Sequence, residues 1–154
     1  YQLGEHFMWG KVTLFEVCNR VPMVIRVPGQ TTRGSTSNGL IELVDLYPTL
    51  TELCGVTAPD DLQGKSLVPM LRDPKAAGKE AVYTVVTRGK TLGKAIRTER
   101  WRYALWPDGE ELYDLENDAS EHRNLAKFRK HAATMATMRA HLARADSHAA
   151  QARR

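Results

Sequence analysis

Residues 81–115 read AVYTVVTRGKTLGKAIRTERWRYALWPDGEELYDL, and this stretch decides the architecture. Ala81–Arg88, Lys94–Thr98, Trp101–Trp106 and Glu111–Leu115 are short runs rich in β-branched and aromatic residues with turn formers between them, the pattern of a small antiparallel sheet. Thr98-Glu99-Arg100 reads as one hairpin connection, and Pro107-Asp108-Gly109 as a second with stronger turn chemistry. Arg97, Arg100 and Arg102 alternate with Ile96, Trp101 and Tyr103, as a half-buried strand requires. That alternation predicts arginines that are for the most part solvated.

Four short strands cannot bury enough apolar surface alone. Past the loop 117–124, Phe128, Ala132, Met135, Met138, Leu142 and Ala145 recur at three- and four-residue steps, one stripe of an amphipathic helix that should cover a face of the sheet. The last residues, HAAQARR, should fray. Upstream, residues 56–80 scatter Pro59, Pro69, Pro74, Gly64 and Gly78 among apolar side chains, predicting a linker with one helical turn around Ser66–Leu71.

Before the linker, Val21–Val27 (VPMVIRV), closed by Pro28 and Gly29, reads as a buried strand. Gln30–Asn38 is a polar surface connection. Asp45 reads as the N-cap of a helix carrying Leu46, Leu50, Leu53 and Cys54, with Pro48 in its first turn and Gly55 as its stop. Strand, loop and helix in this order form the edge of a larger α/β domain. The expected organisation is residues 1–58 as the C-terminal part of an α/β domain, 59–80 as linker, and 81–154 as a sheet-plus-helix subdomain.

The whole chain of 154 residues is 42% hydrophobic and 26% charged, which excludes disordered and collagen-like architectures. No apolar run approaches the roughly 20 residues of a membrane-spanning helix, so no membrane partner is expected. The formal charge of +4 arises at one end, because residues 118–154 carry 8 basic against 3 acidic side chains while residues 1–117 are nearly balanced. A basic terminal helix without interleaved aromatic residues argues against nucleic acid as a partner. Cys18 and Cys54 match no CxxC or zinc spacing and read as buried thiols. The chain opens at Tyr1 with no secretory leader pattern, so a preceding segment is expected.

The densest polar motif is Leu3-Gly4-Glu5-His6 followed by Trp9-Gly10-Lys11. Such a loop presents an imidazole and an ammonium to an anion, although the same residues also suit an ordinary surface loop. The enclosing string LGEHFMWGKVTLFEVCNRVPMVIRVPG resembles a stretch of the sulfatase family, particularly iduronate-2-sulfatase-like and related bacterial sulfatases. The resemblance continues through LVDLYPTLTELCGV, LQGKSLVPML, IRTERWRY and ELYDLENDASEHRNLA, from Tyr1 to about Ala126.

This resemblance implies an α/β fold: the edge of an alkaline-phosphatase-like domain, then a C-terminal subdomain of four-stranded antiparallel sheet packed on a helix. It implies sulfate-ester hydrolysis by a formylglycine made from Cys or Ser in a C-x-P-x-R or S-x-P-x-R motif. Calcium and basic side chains then meet the charge on the sulfate oxygens. Cys18 precedes Asn-Arg-Val and Cys54 precedes Gly-Val-Thr, so neither lies in that motif. Nucleophile and calcium ligands are therefore expected in a missing N-terminal part, with no metal ligand here and no activity in the isolated chain.

Carried over by motif, Lys11 matches the family lysine that contacts sulfate, the other reading being a surface lysine laid on Trp9. His6 matches the LGEH histidine, which either orients the substrate or hydrogen-bonds the loop. Trp101, or one of the neighbouring arginines, could reach over the substrate. Arg20 reads as structural, satisfied by carbonyls or by Glu16, and Glu121 and His122 as closing the sheet. The expected partners are a sulfated small molecule or glycan and the preceding part of the same enzyme. Two alternatives stay open: a phosphonate monoester hydrolase or phosphodiesterase of the same superfamily, and a non-catalytic structural or binding module.

Overall fold

The computed structural model describes residues 1–29 and 34–151. A two-stranded hairpin, β1 (Gln2–Leu3) and β2 (Trp9–Gly10), leads into the one-turn helix α1 (Glu16–Asn19). Helices α2 (Leu46–Leu53) and α3 (Val68–Arg72) follow, then strands β3 (Val82–Arg88), β4 (Thr91–Arg97), β5 (Trp101–Trp106) and β6 (Gly109–Asp114), and finally helix α4 (Ala132–Gln151). The last four strands form an antiparallel meander in the order β3-β4-β5-β6. Strand β4 starts at Thr91 because Arg88 pairs Thr91 across the two-residue turn Gly89-Lys90. Gly89 holds φ at +61° there, the sign that tight hairpin turns require.

Both faces of the sheet are covered. On one, Ile96, Tyr103 and Leu112 meet Met135, Met138 and Leu142 of α4, all at most 4% exposed. This is the amphipathic stripe expected from sequence. The opposite face packs Ala95 and Ala104 against Leu14, with Val86 and Trp106 at the margin. That second cover corrects the expectation of solvated arginines. Side chains at alternate positions of β5 point to the Leu14 side rather than to water, and Arg102 is 1% exposed.

Residues 40–83 are tied together by one buried carboxylate. Asp45 does not act as a helix N-cap, as the sequence suggested, but lies inside a 3₁₀ turn, Leu43–Asp45, with αR backbone angles. Its side chain is fully buried. It accepts hydrogen bonds from the N–H of Glu42 and of Lys65, each at 2.8 Å, and pairs with the Lys79 ammonium at 2.6 Å. Glu42 pairs with the same ammonium at 2.5 Å and accepts the Tyr83 N–H at 2.7 Å. Thr49 of α2 accepts the N–H of Leu67, so residues 65–68 are stitched to α2.

Three other expectations fail or fall outside. Val21–Val27 forms no ladder among the described residues, and Val21 and Val24 are 54% and 94% exposed. A strand needs a neighbouring strand for its N–H and C=O groups, and none of the described residues supplies it. Leu43, Val44, Tyr47 and Leu50 are exposed as well, an open apolar surface continuous in sequence with α2. Cys54 is exposed and Cys18 half-buried, because neither lies in the core filled by α4 and Leu14. Residues 30–33 of the expected loop and 152–154 of the expected frayed end lie outside the described residues; residues 34–38 are irregular and exposed.

Candidate functional site

The β1–β2 hairpin carries the Leu3–Lys11 motif in a tight, self-bonded loop. Gly4 N–H donates to Met8 C=O, Phe7 N–H to Gly4 C=O and Met8 N–H to Glu5 C=O, at 3.0–3.1 Å. The Glu5 carboxylate accepts the Leu3 N–H at 2.6 Å, and backbone N–H groups of Glu5 and Leu3 hold its pKa below the usual value. Fully buried Gln2 anchors the base, donating to Glu5 C=O at 3.2 Å and accepting from the Cys18 thiol at 3.6 Å. At the tip, His6 and Phe7 sit at φ +52° and +57°, a left-handed conformation that costs a non-glycine residue about 1–3 kcal/mol.

A stack of rings and charge supports that tip. The His6 imidazole lies on the Phe15 ring, centroids 3.8 Å apart and planes within 2°. The Arg102 guanidinium is 5.0 Å from the Phe15 centroid and 4.7 Å from that of Tyr113. Arg102 pairs with Glu121, itself 2% exposed, and more loosely with Glu111 at 3.5 Å. Glu121 also accepts the Glu16 N–H at 2.7 Å. Burial raises the Glu111 pKa, and pushes the Tyr113 hydroxyl up to about 12.

An open groove runs beside this stack, between α1 and the loop 115–122. One arm, about 480 Å³, is lined by His6, Arg20, Glu121 and His122 among others. The other, about 440 Å³, is lined by Arg97, Arg100, Glu99 and Glu116, and both arms share Glu16, Arg20 and Ala119. The His6 and His122 rings are 5.8 Å apart. Glu16 pairs with Arg97 at 3.2 Å rather than with Arg20 as expected, because α1 sets its carboxylate against β4; Arg20 stands exposed in the groove. Arg100 makes two bonds to Asp114, 2.8 and 2.6 Å.

The expected site residues are thus spread over two places. His6 lines the groove, and Lys11 is exposed on the same hairpin with its ammonium over Tyr1, 5.4 Å from the ring centroid. Trp101 packs against the α4 core, edge-on to His131 at 5.6 Å, with the Arg100 guanidinium over its ring. Sequence reasoning missed Phe15 and the burial of Arg102. The available signal was Glu111 and Glu121 in one motif beside RWRY, carboxylates that a buried guanidinium needs.

Among the described residues no group of three or more His, Cys, Asp or Glu side chains could hold a metal ion. The calcium and formylglycine implied by the resemblance find no fitting residues among those described. No helix among these residues is long and apolar enough to cross a membrane.

Comparison with known proteins matches residues 4–148 to the family described as N-sulphoglucosamine sulphohydrolase, C-terminal. An N-acetylglucosamine-6-O-sulfatase of Bacteroides thetaiotaomicron is 33% identical over 134 residues, covering 80% of this chain and 24% of that protein. The structure of BT4656 in complex with its substrate D-glucosamine-2-N,6-O-disulfate superposes with a TM-score of 0.89 at 28% identity, over 96% of this chain and 32% of that one. A phosphonate monoester hydrolase from Silicibacter pomeroyi shares the fold, with a TM-score of 0.76 at 23% identity over 88% of this chain and 30% of its own. The chain spans 24–32% of the length of these curated relatives.

Proposed function

The chain belongs to the N-sulphoglucosamine sulphohydrolase C-terminal family, and from that premise we propose that it serves as the C-terminal portion of a sulfatase acting on a sulfated sugar. In this reading Lys11 donates to an oxygen of the sulfuryl group and His6 holds the same group or the adjoining sugar hydroxyl. Negative charge on the sulfuryl oxygens is met by donors whose positions are set before the substrate arrives. The nucleophile, formylglycine, and the calcium belong to the preceding part of the enzyme, so this chain alone does not turn over substrate.

The observation that supports the reading is the hairpin itself. It spends backbone strain at His6 and Phe7 to set an imidazole in the wall of an open groove, and carries the exposed Lys11 ammonium just past its second strand, over Tyr1. Its fold is shared with a protein solved around a doubly sulfated glucosamine.

The test is to express the complete reading frame containing this sequence, together with a formylglycine-generating enzyme. It is assayed on glucosamine 6-sulfate, glucosamine N-sulfate, a chromogenic aryl sulfate and an aryl phosphonate. Release of sulfate from at least one sulfated sugar, with the phosphonate a poor substrate, supports the proposal. Preference for the phosphonate overturns the assignment to sulfur, and turnover by the 154-residue chain alone overturns its role as an incomplete part.

A further inference from the structure

We propose that Arg102, buried beneath the groove, is a positioning residue for His6 and acts on it through the Phe15 ring; this rests on the functional reading above. The imidazole occupies one face of Phe15 at 3.8 Å in near-perfect parallel. The guanidinium lies over the same ring, 5.0 Å from its centroid. Tyr113 lies against the guanidinium in turn, at 4.7 Å. Tyr113 also meets Phe15 directly, edge-on with centroids 6.1 Å apart, so Arg102 and Tyr113 together back the ring on which His6 lies.

A second connection runs through the backbone. Arg102 fixes Glu121, and Glu121 accepts the N–H of Glu16, the residue that follows Phe15. Ring and main chain at position 15 are thus both referred to one guanidinium. The choice of residue is informative because burying a charge is costly, and an apolar side chain of similar volume often fills such a place as well or better. Arg102 also leaves Nη1 buried without a hydrogen-bond partner. A planar cation is what this place needs if its task is to grip an aromatic ring. His6 needs the support, since its left-handed backbone would otherwise relax and carry the imidazole away from the groove.

The test uses the complete protein with histidines labelled at the ε1 carbon, the His6 resonance being identified by its loss in His6→Asn. The readouts are that resonance, kcat and KM measured separately, and Tm. In the parent, ring current from Phe15 moves the His6 signal upfield. Phe15→Leu abolishes that displacement, Arg102→Lys reduces it, and each lowers kcat/KM by about tenfold or more. Phe15→Tyr restores both signal and turnover.

If Arg102→Lys lowers Tm but leaves the His6 signal and kcat/KM unchanged, Arg102 is only structural and the proposal fails. Where Arg102→Lys does not fold, Phe15→Leu set against Phe15→Tyr decides, with an unmoved His6 signal in both overturning the proposal. Full turnover by His6→Asn would instead defeat the role given to His6 above, and the resonance would still judge whether Arg102 positions it.

Discussion

Replacing Asp45 by Asn keeps shape and volume while removing one charge from the knot that ties residues 40–83 together. The carboxylate is fully buried and serves three donors: the N–H groups of Glu42 and Lys65 and the Lys79 ammonium. With the amide oxygen in the Oδ1 place, Lys65 and Lys79 keep an acceptor, now neutral. The amide nitrogen replaces Oδ2 and meets the Glu42 N–H donor to donor. One charge-assisted hydrogen bond is lost outright and two are weakened, which amounts to about 3 kcal/mol. Asp45→Ala, which strands all three donors, reaches about 3–5 kcal/mol.

At about 2–4 °C per kcal/mol for a chain of this size, Asp45→Asn should lower Tm by about 6–12 °C in calorimetry at pH 7. The pH dependence carries a second check. Burial works against the Lys79 ammonium, but Asp45 and Glu42 outweigh it and raise its pKa. Its contribution is whole below the unfolded value of about 10.4 and fades as pH rises through the higher folded value. The deficit of Asp45→Asn should therefore shrink at strongly alkaline pH. A fall in Tm below about 2 °C for both substitutions would refute the reasoning, as would full additivity of Asp45→Asn with Lys79→Met.

Further outcomes are expected elsewhere. The Arg100 guanidinium holds the Asp114 carboxyl down to about 2, so Asp114→Asn should cost stability at pH 7. That cost should disappear as pH falls from about 4 through the folded value, followed as Tm against pH. Gly64→Ala places a methyl group 2.1 Å from the Val44 carbonyl oxygen, and since backbone cannot swing aside it should cost about 3 kcal/mol or more in urea unfolding. Met138→Ala, emptying a site 1% exposed, should cost about 2–5 kcal/mol by the same measurement. Lys11→Met in the complete enzyme should lower kcat/KM by about 100-fold or more with Tm unchanged, because Lys11 is exposed and its ammonium rests over the Tyr1 ring at the surface.

Strands β3–β6 and the α4 stripe were legible in the sequence because their signals are local. Alternation in RWRY and the three- and four-residue spacing of Met135, Met138 and Leu142 each state a face without reference to distant residues. The starts of β4 and β6 were placed late, since the ladders at Thr91 and Gly109 are set by pairing across turns. Val21–Val27 misled for the complementary reason: its composition suits a strand, but a strand exists only where another offers hydrogen bonds. At the site, the LGEH and WGK motifs marked His6 and Lys11, and the RVP and ASEH strings marked Arg20 and His122. Nothing in the order of residues said that Glu16 would pair with Arg97, 81 positions away, and not with Arg20.

By itself, then, the sequence determined the elements of the C-terminal sheet and helix, the sulfatase kinship carried by the ordered motifs, and the loop motif that holds His6 and Lys11, whose hairpin form came from the tertiary structure. The tertiary structure alone decided that residues 14–16 close the second face of the sheet, and that Arg102 is buried under Phe15 instead of solvated. It also placed Trp101 against α4, with the groove-lining Arg100 over its ring. The physical reason is that periodicity says which side chains share a face of an element, whereas what covers that face depends on contacts between residues far apart in sequence, as in Phe15 with Arg102 and Glu16 with Arg97, 81 positions apart.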